Sequence, residues 1–215
     1  AKAKLESGDT PVEWATLGEV LGSDLVNLRY QPLFSPVEMG FQMKQFAADG
    51  GRSAELSNYT HPAGEPLTYR VISGDFVSMD DGTGIVHIAP AFGEDDFELG
   101  KQHGLFFVQH VDLRGEIEPT RDNLPFSGKF VKDADPIITR DLRSRGHLLR
   151  AETIQHTYPF CWRCGTPLLY YVKPSWYLRT TALKQKLVDG NAQIHWYPSH
   201  IREGRFGNWL EENKD

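Results

Sequence analysis

The side chains best equipped for chemistry are gathered in one span, Asp80 to Asp96, which reads Asp-Asp-Gly-Thr-Gly-Ile-Val-His-Ile-Ala-Pro-Ala-Phe-Gly-Glu-Asp-Asp. It holds a glycine turn that lets backbone approach a ligand closely, an imidazole at His87, and carboxylates at Glu94, Asp95 and Asp96. Three elements must position these groups. Asp81 and Gly82 carry a hairpin signal, and Gly84 is a second point of close approach. Ile85 to Ala89 is apolar and partly β-branched, which predicts a strand with Ile85, His87 and Ala89 on one face and Val86 and Ile88 on the other. Pro90 ends the ladder because it has no N–H to give. Phe92 and Gly93 then lead into a helix whose acidic first turn suits the positive end of a helix dipole. Such a turn, strand and helix start bring His87 and Asp96 toward one rim. A structural reading stands beside this one: a histidine in an apolar strand is commonly a satisfied core residue, and acids at a helix start are commonly caps.

The flanking sequence supplies the supports. Residues 1 to 9 are polar and read as a frayed or severed strand. Pro11 followed by Leu17, Val20, Leu21 and Leu25 at near-helical intervals predicts a short helix. Asn58 to Pro66 is rich in turn formers and reads as a loop, and Leu67 to Ser73 with Asp75 to Met79 alternate as paired strands. Glu94 to His103 reads as a helix stopped by Gly104 in the left-handed conformation. Leu105 to Val111 follows as a strand and Asp112 to Gly115 as a turn. Asp135 and Pro136 form a cap and first-turn pair for a helix to Arg145, closed by Gly146, with Ile137, Ile138 and Leu142 on its apolar face. The basic run Arg140, Arg143, Arg145, His147 and Arg150 is either a solvated helix face or a contact for nucleic-acid phosphates.

Leu148 to Tyr158 reads as a strand leading to Pro159-Phe160-Cys161-Trp162-Arg163-Cys164-Gly165, where Cys161 and Cys164 have the spacing of a zinc knuckle. Tetrahedral zinc needs four ligands, and no second cysteine pair exists in these 215 residues. His156 could add a third; otherwise the remaining ligands lie outside the sequence. A redox pair would need a thioredoxin-like βαβ context that the sequence does not show.

Composition narrows the class. Hydrophobic residues make up 40% and charged residues 24%, as in a globular chain long enough to bury a core. A net charge of −6 argues against a general nucleic-acid coat but leaves room for a local basic patch. No apolar run approaches membrane-spanning length, no signal peptide is visible, and two cysteines suit a reducing, cytoplasmic setting.

Gly82-Thr83-Gly84-Ile85-Val86-His87, then Ala89-Pro90-Ala91-Phe92-Gly93 and Asp96, closely resemble the signature of the editing domain of isoleucyl-tRNA synthetases, an insertion in their catalytic domain. The related valine enzymes carry a lysine at the histidine position and Pro-Ala-His in place of Pro-Ala-Phe; leucine enzymes also carry Pro-Ala-His. His87 and Phe92 therefore point to isoleucine. The likeness resumes at Tyr170-Tyr171, Ser175-Trp176-Tyr177 and His195-Trp196-Tyr197-Pro198 through Gly204 to Leu210, which resemble the stretch returning to the catalytic domain. It covers residues 67 to 215 well and the first 66 poorly. Both ATP-handling signatures of the class, His-Ile-Gly-His and Lys-Met-Ser-Lys-Ser, are missing, so these residues are not the activating domain.

The resemblance implies an α/β (α+β) fold: a β-barrel-like editing core over residues 1–150 with flanking short helices, then a β/α stem over 151–215 that carries the Cys161–Cys164 knuckle. It implies an ester hydrolase whose partners are the rest of the synthetase and the 3′ end of isoleucine tRNA carrying valine. Asp96 would hold the substrate ammonium and His87 would shape the side-chain pocket, while Gly82, Thr83, Gly84, Val86 and Phe92 would line the substrate. No cofactor is implied for editing, and zinc only for the complete protein. The Ser-Trp segment lies near the aminoacylation pocket in the family; without that domain its aromatics are expected to pack as stem. A threonine-rich second wall, of the type Thr-Thr-Thr-Pro-Trp-Thr, does not occur here and would precede Ala1. Two other readings remain open at this point: a threonine-clearing domain of a valyl-tRNA synthetase, and a non-catalytic tRNA-binding knuckle module.

Overall fold

Residue pairings across two small antiparallel sheets organise the computed structural model, which describes residues 15–78, 83–151, 153 and 157–212. The chain forms one unit that runs to Val172 and a second from Lys173. In the first unit, α1 (Gly22–Leu25) precedes β1 (Arg29–Tyr30), and α2 (Pro36–Met39) precedes the antiparallel pair β2 (Met43–Phe46) and β3 (Leu56–Tyr59). Next come β4 (Tyr69–Arg70), α3 (Glu94–His103), β5 (Phe106–Phe107) and α4 (Val131–Ser144). β1 pairs with β4 through Arg29–Arg70 and Tyr30–Tyr69. The second sheet has the order β3-β2-β5, with Met43 opposite Tyr59 and Gln45 opposite Phe106.

This is a mixed α/β fold of small sheets, and none of them closes into a barrel among the described residues. The barrel-like part of the expectation is not seen there. Several expected strands are corrected. β4 crosses back to β1, with no pairing to residues 75–78 among the described residues and Met79 lying outside them, and the expected loop from Asn58 begins inside β3. Only α1 is helical in the 15–25 stretch, where Leu17 and Val20 stay exposed with no apolar surface to hold a helix face. The expected strand to Val111 keeps ladder pairing only at Phe106 and Phe107, with an isolated bridge from Val111 to Ile117. Residues 148–158 form no strand among those described.

Two clusters of buried side chains hold the first unit together. Phe46, Ala91 and Phe107 form one, with Leu56, Phe92, Phe97 and Val172 packed against it. Its rings meet edge to face: Phe46 lies 5.1 Å from Phe97 and 5.9 Å from Phe107, the geometry aromatic quadrupoles prefer. Ile117, Phe126 and Ala134 form the other, flanked by Phe34, Phe41 and Val131. That second cluster explains the early start of α4. Ala134 is fully buried and Val131 packs beside it, so tertiary contact draws the helix start to Val131, ahead of the cap expected at Asp135. Pro136 then sits inside the helix, at the cost of one helical hydrogen bond.

The described residues of the expected β/α stem show no strand beyond an isolated bridge from Phe160 to Pro167. In the unit from Lys173 the regular elements are α5 (Lys184–Gln193) and α6 (Arg205–Glu212) with two 3₁₀ turns, and residues 173–179 are irregular. Its hub is the buried Asn191, whose amide donates to the Arg202 carbonyl at 2.8 Å and accepts from the Trp196 indole at 2.8 Å. A buried amide is retained when both ends are satisfied. Trp176, Tyr177 and Leu178 do not pack as stem aromatics; Trp176 is fully exposed.

The seating of α3 depends on Gly100. A Cβ there would lie 2.7 Å from the Phe46 ring and 3.1 Å from Pro90. Alanine gains about 0.5–1 kcal/mol of helix preference over glycine, but overpacking against a buried ring costs about 1–3 kcal/mol. Gly100→Ala is therefore expected to destabilise the 215-residue chain by on the order of 1 kcal/mol, read as a lower denaturant midpoint. An unchanged or higher midpoint would show that α3 is not held against Phe46.

Candidate functional site

The helix expected from Glu94 to His103 is present with those bounds, stopped by Gly104 at φ +61°. Gly93 caps it, and a Cβ at Gly93 would fall 2.6 Å from Asp96 Oδ2. Glycine is what lets the Asp96 side chain fold back over the helix start. There Asp96 Oδ2 accepts the Ala89 N–H at 3.0 Å, while Oδ1 takes no hydrogen bond among the described residues. The Phe92 N–H donates to the Ala89 carbonyl, closing a tight turn over the buried Pro90 and Ala91.

This arrangement replaces the strand expected at Ile85 to Ala89. Among the described residues the segment has no ladder partner, and Ile85, Val86 and His87 are all exposed. The reason is local: the Ala89 N–H goes to a side chain, and Pro90 has none to offer a neighbouring strand. At the upstream end the Thr83 hydroxyl accepts the Ile85 N–H at 3.2 Å and bonds the Ile85 carbonyl at 3.1 Å, with Gly84 at φ +72° between them. Gly82 and the Asp81 hairpin signal lie outside the described residues. The structure thus places Thr83, Gly84, Val86 and His87 on one exposed stretch that ends at the Asp96 carboxylate.

Phe92 is anchored from beneath. Its ring packs on the Phe46 cluster, 5.2 Å from the His110 ring and 6.4 Å from Tyr171. His110 lies between Phe92 and Phe41, and burial lowers its pKa against the opposing effect of its hydrogen bond to the Val108 backbone. A cavity of about 290 Å³ opens beside them, bounded by Val131, Tyr158 and Tyr170. Sequence reading missed His110, because nothing local distinguishes a histidine that supports another residue's ring from one at the surface.

Cys161 and Cys164 occupy a tight turn: the Gly165 N–H donates to the Cys161 carbonyl at 2.8 Å, and the Cys161 N–H to the Thr166 carbonyl at 2.8 Å. The pair has the form of a zinc knuckle but supplies half a tetrahedral shell. Among the described residues no group of three His, Cys, Asp or Glu comes together, and His156 lies outside them. The basic run divides. Arg145 is structural, bridging to Asp141 at 2.8 Å, donating to the Leu33 carbonyl and covering the Phe34 ring, whereas Arg140 and Arg143 are exposed.

Residues 4–215 match the class I tRNA synthetases (I, L, M and V), and the chain belongs to that family. Its relatives include the isoleucine–tRNA ligase of Dehalococcoides mccartyi strain CBDB1, 55% identical over 93% of this chain and 18% of the relative. Those of Clostridium acetobutylicum (40% identical; 93% and 17%) and Thermus thermophilus (44% identical; 77% and 16%) are further examples. The chain spans under a fifth of the length of these relatives. The match also begins at residue 4, so the likeness reaches well into the first 66 residues, where sequence reading expected little. No described helix is long and apolar enough to cross a membrane.

Cys164 gives this site a measurable property. The Thr166 hydroxyl, 3.0 Å from its sulfur, leads the hydrogen bonds that bring the thiol down to about 7, with the Thr166 backbone and Cys161 adding to it. The thiolate is the nucleophile. Alkylation of Cys164 in metal-free protein should therefore rise through pH 7 and level off above pH 8, and Thr166→Val should move that midpoint upward. A midpoint that stays put in the variant would remove the hydroxyl as the cause.

Proposed function

We propose that this chain is the editing portion of an isoleucine–tRNA ligase and hydrolyses valine wrongly esterified to isoleucine tRNA. The observation that carries the reading is the Asp96 carboxylate at the start of α3, one oxygen on the Ala89 N–H and the other available at the end of an exposed segment bearing His87. Membership of the synthetase family and relatives that are isoleucine–tRNA ligases support it. They also favour isoleucine over the valine alternative.

The chemical need is clear. A pocket sized for isoleucine cannot strongly reject a side chain one methylene smaller, and a second site that admits only the smaller product solves the problem. In the proposed reaction water attacks the ester carbonyl, the carbonyl–ribose oxygen bond breaks, and the ribose hydroxyl leaves with the proton. Asp96 Oδ1 holds the valine ammonium as a charge-assisted pair. His87 bounds the side-chain pocket against isoleucine, and Thr83 and Gly84 let backbone approach the ester. No protein group is assigned as general base; the vicinal ribose hydroxyl is proposed to take that part. Phe92, given its place on the core, acts by holding the turn and not by touching substrate.

Asp96 has two jobs, and two substitutions separate them. In the full-length ligase, Asp96→Asn keeps a carbonyl oxygen for the Ala89 N–H but loses the charge. It should lower clearance of valine-charged tRNA on the order of 10- to 100-fold, as expected for one hydrogen bond to a charged group, while valine activation is unchanged. Asp96→Ala also orphans the Ala89 N–H and should abolish clearance. Normal deacylation by both variants would sink the assignment.

His87 makes an independent prediction. Removing its ring opens space in the pocket, so His87→Ala should begin to hydrolyse correctly charged isoleucine tRNA. If the variant spares that substrate and clears valine normally, His87 does not set the size limit.

A further inference from the structure

A cavity of about 380 Å³ that none of Thr83 to Asp96 lines lies against β2 and β3, with Val37, Phe41 and Met43 as its apolar wall and Gln42, Asn58, His61 and Arg121 among its polar residues. Its electrostatics are one-sided. No carboxylate lines it, and Arg121 is the one permanently charged side chain in its wall. Among the described residues the Arg121 guanidinium makes no ion pair and no side-chain hydrogen bond, although its own backbone N–H is fixed on the Met39 carbonyl at 2.8 Å. Gly40, at φ +84°, lies beside it: a Cβ there would be in ordinary contact with Arg121 Cβ at 3.4 Å and Nε at 3.6 Å.

The remaining wall is preset. The Gln42 amide donates to Asn58 Oδ1 at 3.0 Å, which leaves the Asn58 amino group free to donate. His61 Nε2 faces the Glu65 carbonyl at 2.8 Å and so carries a proton, leaving Nδ1 to accept from the Tyr59 hydroxyl at 3.3 Å. The Tyr59 ring packs on Phe106 with centroids 4.6 Å apart and the planes tilted by 46°. Lys44, directly opposite Asn58, adds a second positive charge to the same sheet face, since opposed residues project to one side. A fork of guanidinium donors facing amide donors, with no competing acid, is suited to a phosphate-type oxyanion.

We propose that this cavity holds a backbone phosphate of the tRNA, with Arg121 as its principal contact. The inference rests on the editing reading for the identity of the RNA and deepens it, because it gives this acidic chain a local place to grip a polyanion away from the reacting ester. The charge matters here, not a base, so binding at this point is independent of RNA sequence.

The test uses the full-length ligase with Arg121→Ala, Arg121→Lys and, as a charge reversal, Arg121→Glu. Affinity for uncharged isoleucine tRNA is measured as a function of salt. Loss of one phosphate contact should reduce the slope of log affinity against log salt by about 0.9. Arg121→Ala should weaken binding several-fold at low salt, Arg121→Glu more, and Arg121→Lys least. For valine-charged tRNA, KM should rise with kcat preserved. Hydrolysis of valyl-adenosine, which has no phosphate backbone, should be untouched, as should isoleucine activation. An unchanged salt slope and KM in all three variants would overturn the proposal. If inorganic phosphate alone raises the melting temperature of the wild type but not of Arg121→Ala, while tRNA affinity is equal in both, the cavity serves a free anion and the RNA assignment falls. A wild-type protein that binds tRNA with the expected Arg121 dependence but deacylates nothing would refute the editing reading and leave the phosphate contact standing.

Discussion

The hydrogen bond from the Ala89 N–H to Asp96 Oδ2 is the contact on which the candidate site turns. It joins the exposed segment bearing His87 to the first turn of α3, and it takes from Ala89 the donor that a strand ladder would have used. Its geometry needs glycine at 93, because any Cβ would occupy the space of the carboxylate. It also needs α3 to be immobile, which Gly100 provides by letting the helix lie directly on Phe46 and Pro90. A carboxylate at a helix start is favoured by the local N–H groups and the dipole, so folding and ligand binding draw on the same charge. A site of this kind keeps one oxygen for structure and offers the other.

Support for that contact comes from aromatic packing more than from sheet. The ladders are two to four residues long, too short to be stable alone, and the sheets matter as platforms that deliver Phe46 and Phe107 to one point. Edge-to-face contacts among Phe46, Phe97 and Phe107 add on the order of 0.5–1.5 kcal/mol per pair beyond burial. Phe92 shares this cluster, with His110 beneath it. A residue of the signature is thereby also a packing residue.

The two candidate polar groups stand on different elements. The Asp96 carboxylate is at the start of α3, whereas the Arg121 guanidinium, without an ion pair among the described residues, lines a cavity against β2 and β3. Arg145, which looks like part of a basic run in the sequence, is consumed by Asp141, Phe34 and the Leu33 carbonyl. Charge counted along a helix is therefore a poor guide to charge available for RNA, because a partner more than a hundred residues away can claim it.

The elements legible in the sequence are those whose causes are local. The bounds of α3 follow from an acidic first turn and a glycine stop, the turn at Asp112 to Gly115 from an aspartate that accepts two backbone N–H groups, and the knuckle turn from Cys-x-x-Cys-Gly. The signature around His87 and Asp96 likewise identified the family from its residue order alone. What only the tertiary structure decided is where long-range partners compete. Ile85 to Ala89 has the letters of a strand but no ladder partner among the described residues, and α4 starts at Val131 because Ala134 is buried in a distant cluster. β4 pairs with β1, far back in the sequence, and the small sheets do not close into a barrel among the described residues. Propensity describes a residue's own backbone; pairing and burial depend on what the rest of the chain brings to meet it.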